Sequence, residues 1–266
     1  MEFFGKIIDA HGHIFPDRIA QKATKAIADF YSIPVRYVGT VANIKKSGEQ
    51  IGVRKQMICS TATTPDQVER INTYISVVCR ENTEFVGLGT LHPDYEDVEK
   101  ELDRVRELGL VGIKLHTDFQ QFYIDDPRAV LMYRKIAKAA LPILFHMGDV
   151  ERVYSTPSQL QRVMEYVPDL TAIAAHFGGY QRWDEAVACL KGIPNLYFDT
   201  SSTLEFISVE AALRMIESFG DDRFFFGTDF PMWDHKEELE RFMRIPLTEA
   251  QQKKILYENF ERLFKV

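Results

Sequence analysis

Residues 110–116 read Leu110-Val111-Gly112-Ile113-Lys114-Leu115-His116, and residues 142–146 read Pro142-Ile143-Leu144-Phe145-His146. Each is a short, apolar, β-branched run that ends on a histidine. Runs of this kind suit parallel strands buried on both faces better than half-solvated hairpins. Six more occur, at Lys6–Asp9, Gln56–Ser60, Glu84–Leu91, Leu170–His176, Asn195–Thr200 and Arg223–Asp229. After the first gap they recur about every 24 to 32 residues, the length of one strand-loop-helix-loop unit. Between them lie amphipathic stretches with helix signals. Thr64-Pro65, Asp126-Pro127 and Thr156-Pro157 each set a capping residue before a first-turn proline. Gly109 and Gly192 stand where helices should stop. Eight strands alternating with helices in 266 residues predict a single α/β domain over residues 1–266, a (β/α)8 TIM barrel, whose usual length is about 250 residues. The long first gap, 15–55, should hold a helix plus an inserted loop, with Gly39–Gly52 its least regular part.

Composition narrows the function. Apolar residues make up 45% and charged residues 27%, the balance of an ordinary globular protein. A net charge of −7 and the lack of a basic block argue against nucleic acid as a partner. No apolar stretch approaches membrane-spanning length, so no membrane partner is expected. A strand beginning near Ile7 argues against a secretion leader. Cys59, Cys79 and Cys189 are odd in number and far apart, which fits neither a disulfide framework nor a cysteine zinc site. A reducing cytoplasm is the expected location, and a homodimer is the base-rate expectation for assembly.

Chemistry concentrates at the C-terminal strand ends, where barrel enzymes carry their active sites. Strand one ends Asp9-Ala10-His11-Gly12-His13, and histidines two apart on extended chain point to one side. His116, His146 and His176 end strands four, five and six, and Asp229 ends strand eight. Taken singly, each has a plain reading: a solvated imidazole pair, a buried satisfied histidine, a helix cap. Taken together, five of seven histidines fall at strand ends that a barrel brings to one mouth. Several imidazoles and a carboxylate with an open position describe a catalytic divalent-metal site, zinc being preferred by nitrogen ligands, with manganese, iron or cobalt as alternatives. Phe15, Met232, Trp233, Thr200, Ser201 and Ser202 follow strand ends and are candidate substrate contacts. His92 reads as a turn initiator, and His235, in a charged helix start, as solvent-facing.

His11-Gly12-His13, Phe145-His146, His176-Phe177-Gly178-Gly179 and Gly227-Thr228-Asp229-Phe230-Pro231, in this order, resemble the amidohydrolase superfamily. The nearest branch is the amidohydrolase-related family that includes aminocarboxymuconate semialdehyde decarboxylase. The ending Ile255–Phe264 is similar to that family's last helix. The resemblance implies that His11, His13, His146 and Asp229 bind one metal ion. It implies that Asp229 also takes a proton from water and that His176 is a catalytic histidine beside it. The physical rationale is general: a divalent metal lowers the pKa of bound water to near 7 and polarises a carbonyl, and a neighbouring imidazole or carboxylate moves the proton. Lys114 is the position that carries a carboxylated, metal-bridging lysine in two-metal members. It reads equally as a substrate-binding group, and His116 as a substrate contact or second-metal ligand.

The same ligands serve two reactions. One is hydrolysis of a small-molecule amide, lactone or ester. The other is non-oxidative decarboxylation of an aromatic or unsaturated carboxylate, for which a cationic pocket would argue. Lys114 and Arg182 are the available cations, and hydrolysis is the preferred expectation. A barrel that only binds would be free to lose a ligand, and this chain retains the full set.

Overall fold

A computed structural model of the protein describes residues 3–266. Eight parallel strand positions form a barrel, as the alternation predicted. The strands are β1 (Ile8–His13), β2 (Lys55–Cys59), β3 (Phe85–Gly87), β4 (Gly89–Thr90), β5 (Ile113–Leu115), β6 (Ile143–Phe145), β7 (Ala172–Ala174), β8 (Leu196–Asp199) and β9 (Phe224–Phe225). β3 and β4 are one barrel strand interrupted at Leu88. That residue donates to Ile58 on one side, while Gly89 donates to Gly112 on the other. The pairing runs β1-β2-β3 and β4 through β9, all parallel. The circle closes where Ala10 donates to Phe226 (2.8 Å), His13 to Phe230 (2.6 Å) and Asp229 to His11 (2.7 Å).

Inside the barrel Ile8, Met57, Leu88, Leu144, Ile173 and Phe225 pack on one another; outside it a larger apolar layer joins strands to helices. At roughly 25 cal/mol per Å² of apolar surface, this burial drives the closure. Helices start where the capping residues stand. Asp126 accepts from Arg128 N before Pro127–Lys138, and Thr156 forms a capping box with Gln159 before Pro157–Tyr166. Gly109 and Gly192 adopt positive φ beyond helix ends.

Two expectations fail. The stretch Gly39–Gly52 contains a helix, Val41–Glu49, capped by Thr40 accepting from Asn43 N. Ser47 and Gly48 break its apolar pattern because they face inward at close range. A Cβ on Gly48 would lie 2.1 Å from Gln56 Nε2. His235, read as solvent-facing, is fully buried, and its Nε2 lies 2.9 Å from Asp9 Oδ2. Charged neighbours in sequence hid the fact that the helix His235–Phe242 begins beneath strand one.

The helix α1 (Asp17–Tyr31) is unusual. It follows β1 directly, and of its fifteen residues Ala20 and Thr24 are the buried ones. Its apolar residues Ile19, Ala23, Ala26, Ile27 and Phe30 line a cavity at the barrel mouth.

Candidate active site

The C-terminal strand ends open into a cavity of 880 Å³ whose wall includes His13, His116, His146, His176 and Asp229. His11 lies just beneath, 1% exposed.

His11 is held from behind. Its Nδ1 lies 2.8 Å from Asp199 Oδ2, which places the proton on Nδ1 and leaves the Nε2 lone pair facing forward. That Nε2 is 3.2 Å from His13 Nε2 and 3.5 Å from Asp229 Oδ1; His13 Nε2 is 3.1 Å from the same oxygen. Ligand atoms about 3.4 Å apart form the edge of a tetrahedron with bonds of 2.0–2.1 Å. The trio therefore has the spacing and the chemistry of a divalent-cation site. Burial alone would raise the Asp229 pKa, but the His11, His13 and His176 imidazoles hold it well below the ordinary carboxylate range. Burial pulls His13 down, yet Cys59 and Asp229 beside it carry its pKa up to about 9.

His176 sits in a turn after β7, with its backbone N–H donating to Asp199 Oδ1 at 3.0 Å. Its Nδ1 lies 2.9 Å from Ser201 Oγ and its Nε2 3.0 Å from His146 Nδ1. Burial first, and neighbouring positive charge with it, lowers its pKa to about 4 despite the two nearby carboxylates. It is a neutral imidazole at ordinary pH. His176, Phe177 and Asp229 adopt left-handed backbone, φ 61°, 54° and 60°. Such conformations cost on the order of 1–3 kcal/mol in non-glycine residues and persist where surroundings over-determine them. Asp9 helps to do so: it accepts from the N–H of His11 and Thr228, from the Thr228 hydroxyl, and meets His235.

His146 joins the group through His176, not directly. Its Nε2 faces Gly148 O at 3.0 Å, the Tyr31 hydroxyl at 3.1 Å and Asp118 Oδ2 at 3.7 Å. His116 stacks on it, with centroids 3.8 Å apart and planes 5° apart, and its Nε2 also meets Tyr31 at 2.8 Å. The structure thus sorts the expected residues into two adjoining sets, His11–His13–Asp229 and His116–His146, with His176 between them. Gly148 permits the approach: a Cβ there would lie 2.5 Å from Tyr180 N, and its φ is 78°.

Lys114 does not line the cavity. It is fully buried beneath His11, with Nζ 3.0 Å from His11 Nε2. Burial holds its pKa below the ordinary lysine range. Arg182 is turned away, donating to Asp149 O. Phe15, Met232, Trp233 and Ser202 line the cavity. Trp233 Nε1 donates to Ser202 Oγ (2.9 Å), which donates to Asp229 Oδ2 (2.6 Å). Thr200 is committed to the Gly227 backbone and Ser201 to Asp199 and the imidazoles. His92 does what a turn initiator does, accepting from Asp94 N.

Sequence reasoning missed Tyr31, Asp118, Asp199 and Asp9 as site residues. Asp199 ends β8 and obeys the same strand-end rule as the histidines, so it was legible. Tyr31 was not, because nothing local shows that the end of α1 reaches across to His116 and His146.

An amidohydrolase family model, Amidohydro_2, matches residues 8–266. The chain belongs to the amidohydrolase family. Among solved structures, this amidohydrolase is similar to 5-carboxyvanillate decarboxylase from Sphingomonas paucimobilis, at 16% identity and a TM-score of 0.77 over 98% of this chain and 99% of that one. It is similar to a dihydroxybenzoic acid decarboxylase from Polaromonas, solved with manganese and 2-nitroresorcinol, at 17% and 0.75 over 97% and 96%. It is similar also to a probable 2-pyrone-4,6-dicarboxylic acid hydrolase from Acinetobacter baumannii, solved with citric acid, at 15% and 0.71 over 98% and 99%. At these identities the likeness concerns the fold. A search of curated proteins gives no match. Among the described residues no helix is long and apolar enough to cross a membrane.

Proposed function

We propose that this amidohydrolase is a metal-dependent hydrolase acting on a neutral carbonyl group in an ester, lactone or amide. The observation that carries the reading is the charge of the reactive end. The cavity wall there bears imidazoles, the carboxylates Asp118 and Asp229, and hydroxyls. Its arginines, Arg18 and Arg70, come from α1 and the helix Val68–Glu81. Neither Lys114 nor Arg182, the cations a substrate carboxylate would need, reaches the cavity.

His11, His13 and Asp229 would hold one divalent cation, and His146 would join them as a further ligand only by turning from the Tyr31, Gly148 and His176 contacts it makes in this structure. When bound, the ion supplies Lewis acidity toward a carbonyl and lowers the pKa of water. Manganese, as in one of the decarboxylase structures, and zinc, favoured by nitrogen donors, both suit this set. The chain's own groups do the rest. Asp199 fixes the His11 tautomer. Asp229, ionised and oriented by Ser202 and Trp233, accepts a proton. His176, neutral and turned toward the cavity by Ser201, relays to the leaving group the proton that Asp229 takes from water, taking one up before giving one away and ending neutral as it began. Lys114 serves as a buried amine packed against His11 in a one-metal site.

The second reading is non-oxidative decarboxylation, favoured by the activities named for two of the similar structures. The test is to load the protein with manganese or zinc and offer lactones, esters, amides and aromatic carboxylates, following acid release and carbon dioxide separately. Acid release without carbon dioxide is expected; carbon dioxide from an aromatic carboxylate would replace this reading with the lyase.

A further inference from the structure

Most helices of this barrel bury an apolar stripe against the strands, and α1 does not. Ile19, Ala23, Ala26 and Ile27 recur at helical spacing, yet all are at least partly exposed and line the cavity. Ile19 is 44% exposed. Ile71 and Tyr74, from the helix Val68–Glu81, line the same cavity. An amphipathic helix with its apolar stripe toward open space lacks the partner that would bury it. What this stripe faces is continuous with the reactive end at His13 and Asp229. The space is 880 Å³, near the upper end of the roughly 300–1,000 Å³ of small-molecule sites. It would hold on the order of thirty waters at about 30 Å³ each, and a one-ring acid would leave much of it empty.

We infer that the substrate carries a hydrocarbon arm, a medium-length acyl or alkyl chain, that lies along α1 and covers this stripe while its carbonyl meets His13 and Asp229. The inference rests on the hydrolase reading for the position of the carbonyl, but the arm's binding is measurable without turnover. Small side chains at Ala23 and Ala26 leave room for a chain between the larger walls of Ile27, Ile71 and Tyr74. Each methylene buried there adds about 0.8 kcal/mol, or close to fourfold in affinity.

The test uses the metal-loaded protein and straight-chain methyl ketones, neutral carbonyl compounds that cannot be hydrolysed, from acetone to 2-decanone, with Kd read by calorimetry. Kd should fall by about fourfold per methylene over several carbons, then level off as the lobe fills. Ala23→Trp should move that levelling to shorter chains. A flat series on the wild-type protein overturns the inference, whether or not the variant folds. So does sedimentation showing that α1 is covered in a second copy of the chain, with Ile19→Asp dissociating the pair. The two readings fail separately: a steep series with no acid release from any ester removes the hydrolase alone. Hydrolysis of short esters with a flat series removes the arm alone.

Discussion

Replacing Asp199 with Asn changes one atom and reverses a tautomer. Asp199 Oδ1 accepts from His176 N (3.0 Å) and Ser201 N (3.1 Å) and from the Ser201 hydroxyl, while Oδ2 faces His11 Nδ1 at 2.8 Å. Asn keeps the first three bonds through its own Oδ1. Its amide nitrogen then faces His11 Nδ1, and two N–H groups cannot face each other. His11 must give up the Nδ1 proton and carry it on Nε2, the atom 3.2 Å from His13 and 3.5 Å from Asp229. That atom then has no lone pair for a cation. Changes in the groups that orient metal-binding histidines typically cost 10–100-fold in affinity, about 1.4–2.7 kcal/mol at 1.36 kcal/mol per decade. The assay is competition with a chromogenic chelator for manganese and for zinc, with circular dichroism to check folding. Asp199→Ala serves as contrast: it strips acceptors from buried N–H groups and should lower thermal stability as well. An Asp199→Asn protein that binds both metals within about twofold of wild type, below the range expected for such changes, would refute the assignment of His11 Nε2 as a ligand atom.

Other expectations follow from the same geometry. His11→Ala and His146→Ala should lower metal content and turnover together, measured by elemental analysis and rate; a His146→Ala protein with full metal content would show that His146 stays with Tyr31 and His116 and is no ligand. His176→Ala should retain its metal and lose roughly 10²–10⁴-fold in rate, the worth of acid–base assistance. Removing metal with a chelator should lower the melting temperature, since a ligand at a hundredfold its Kd adds about 2.7 kcal/mol to the folded state. Asp118 is raised from 3.8 to about 6, mainly by burial. Its neutral form is favoured in the folded protein, so the stability it contributes is complete below about pH 4 and is lost as pH rises through about 6. Metal-free wild type should therefore lose stability relative to Asp118→Asn between those values, by at most about 3 kcal/mol, in denaturant titrations; parallel curves would show that folding leaves the Asp118 pKa unchanged.

The barrel and the position of its mouth were legible in the sequence because both depend on local pattern. A parallel strand buried on both faces must be a short apolar run, and the crossover that returns the chain must be a helix of fixed reach. Polar residues at the ends of such runs have one place to go, so His11, His13, His116, His146, His176 and Asp229 mark the mouth before any coordinate is known. The tertiary structure decided which nitrogen faces which neighbour. Asp199 turns His11 forward, Ser201 and Asp199 together fix His176, and Tyr31 crosses from the end of α1 to His116 and His146. Each of these contacts joins residues far apart in the chain, through orientations that spacing does not encode. Burial of His235 on Asp9 and the close seat of Gly48 against Gln56 were hidden for the same reason: solvent access depends on what another segment covers. The apolar face of α1 is the opposite case. Its periodicity is written in the chain, but that no described part of the barrel fully buries it is a property of the assembled fold alone.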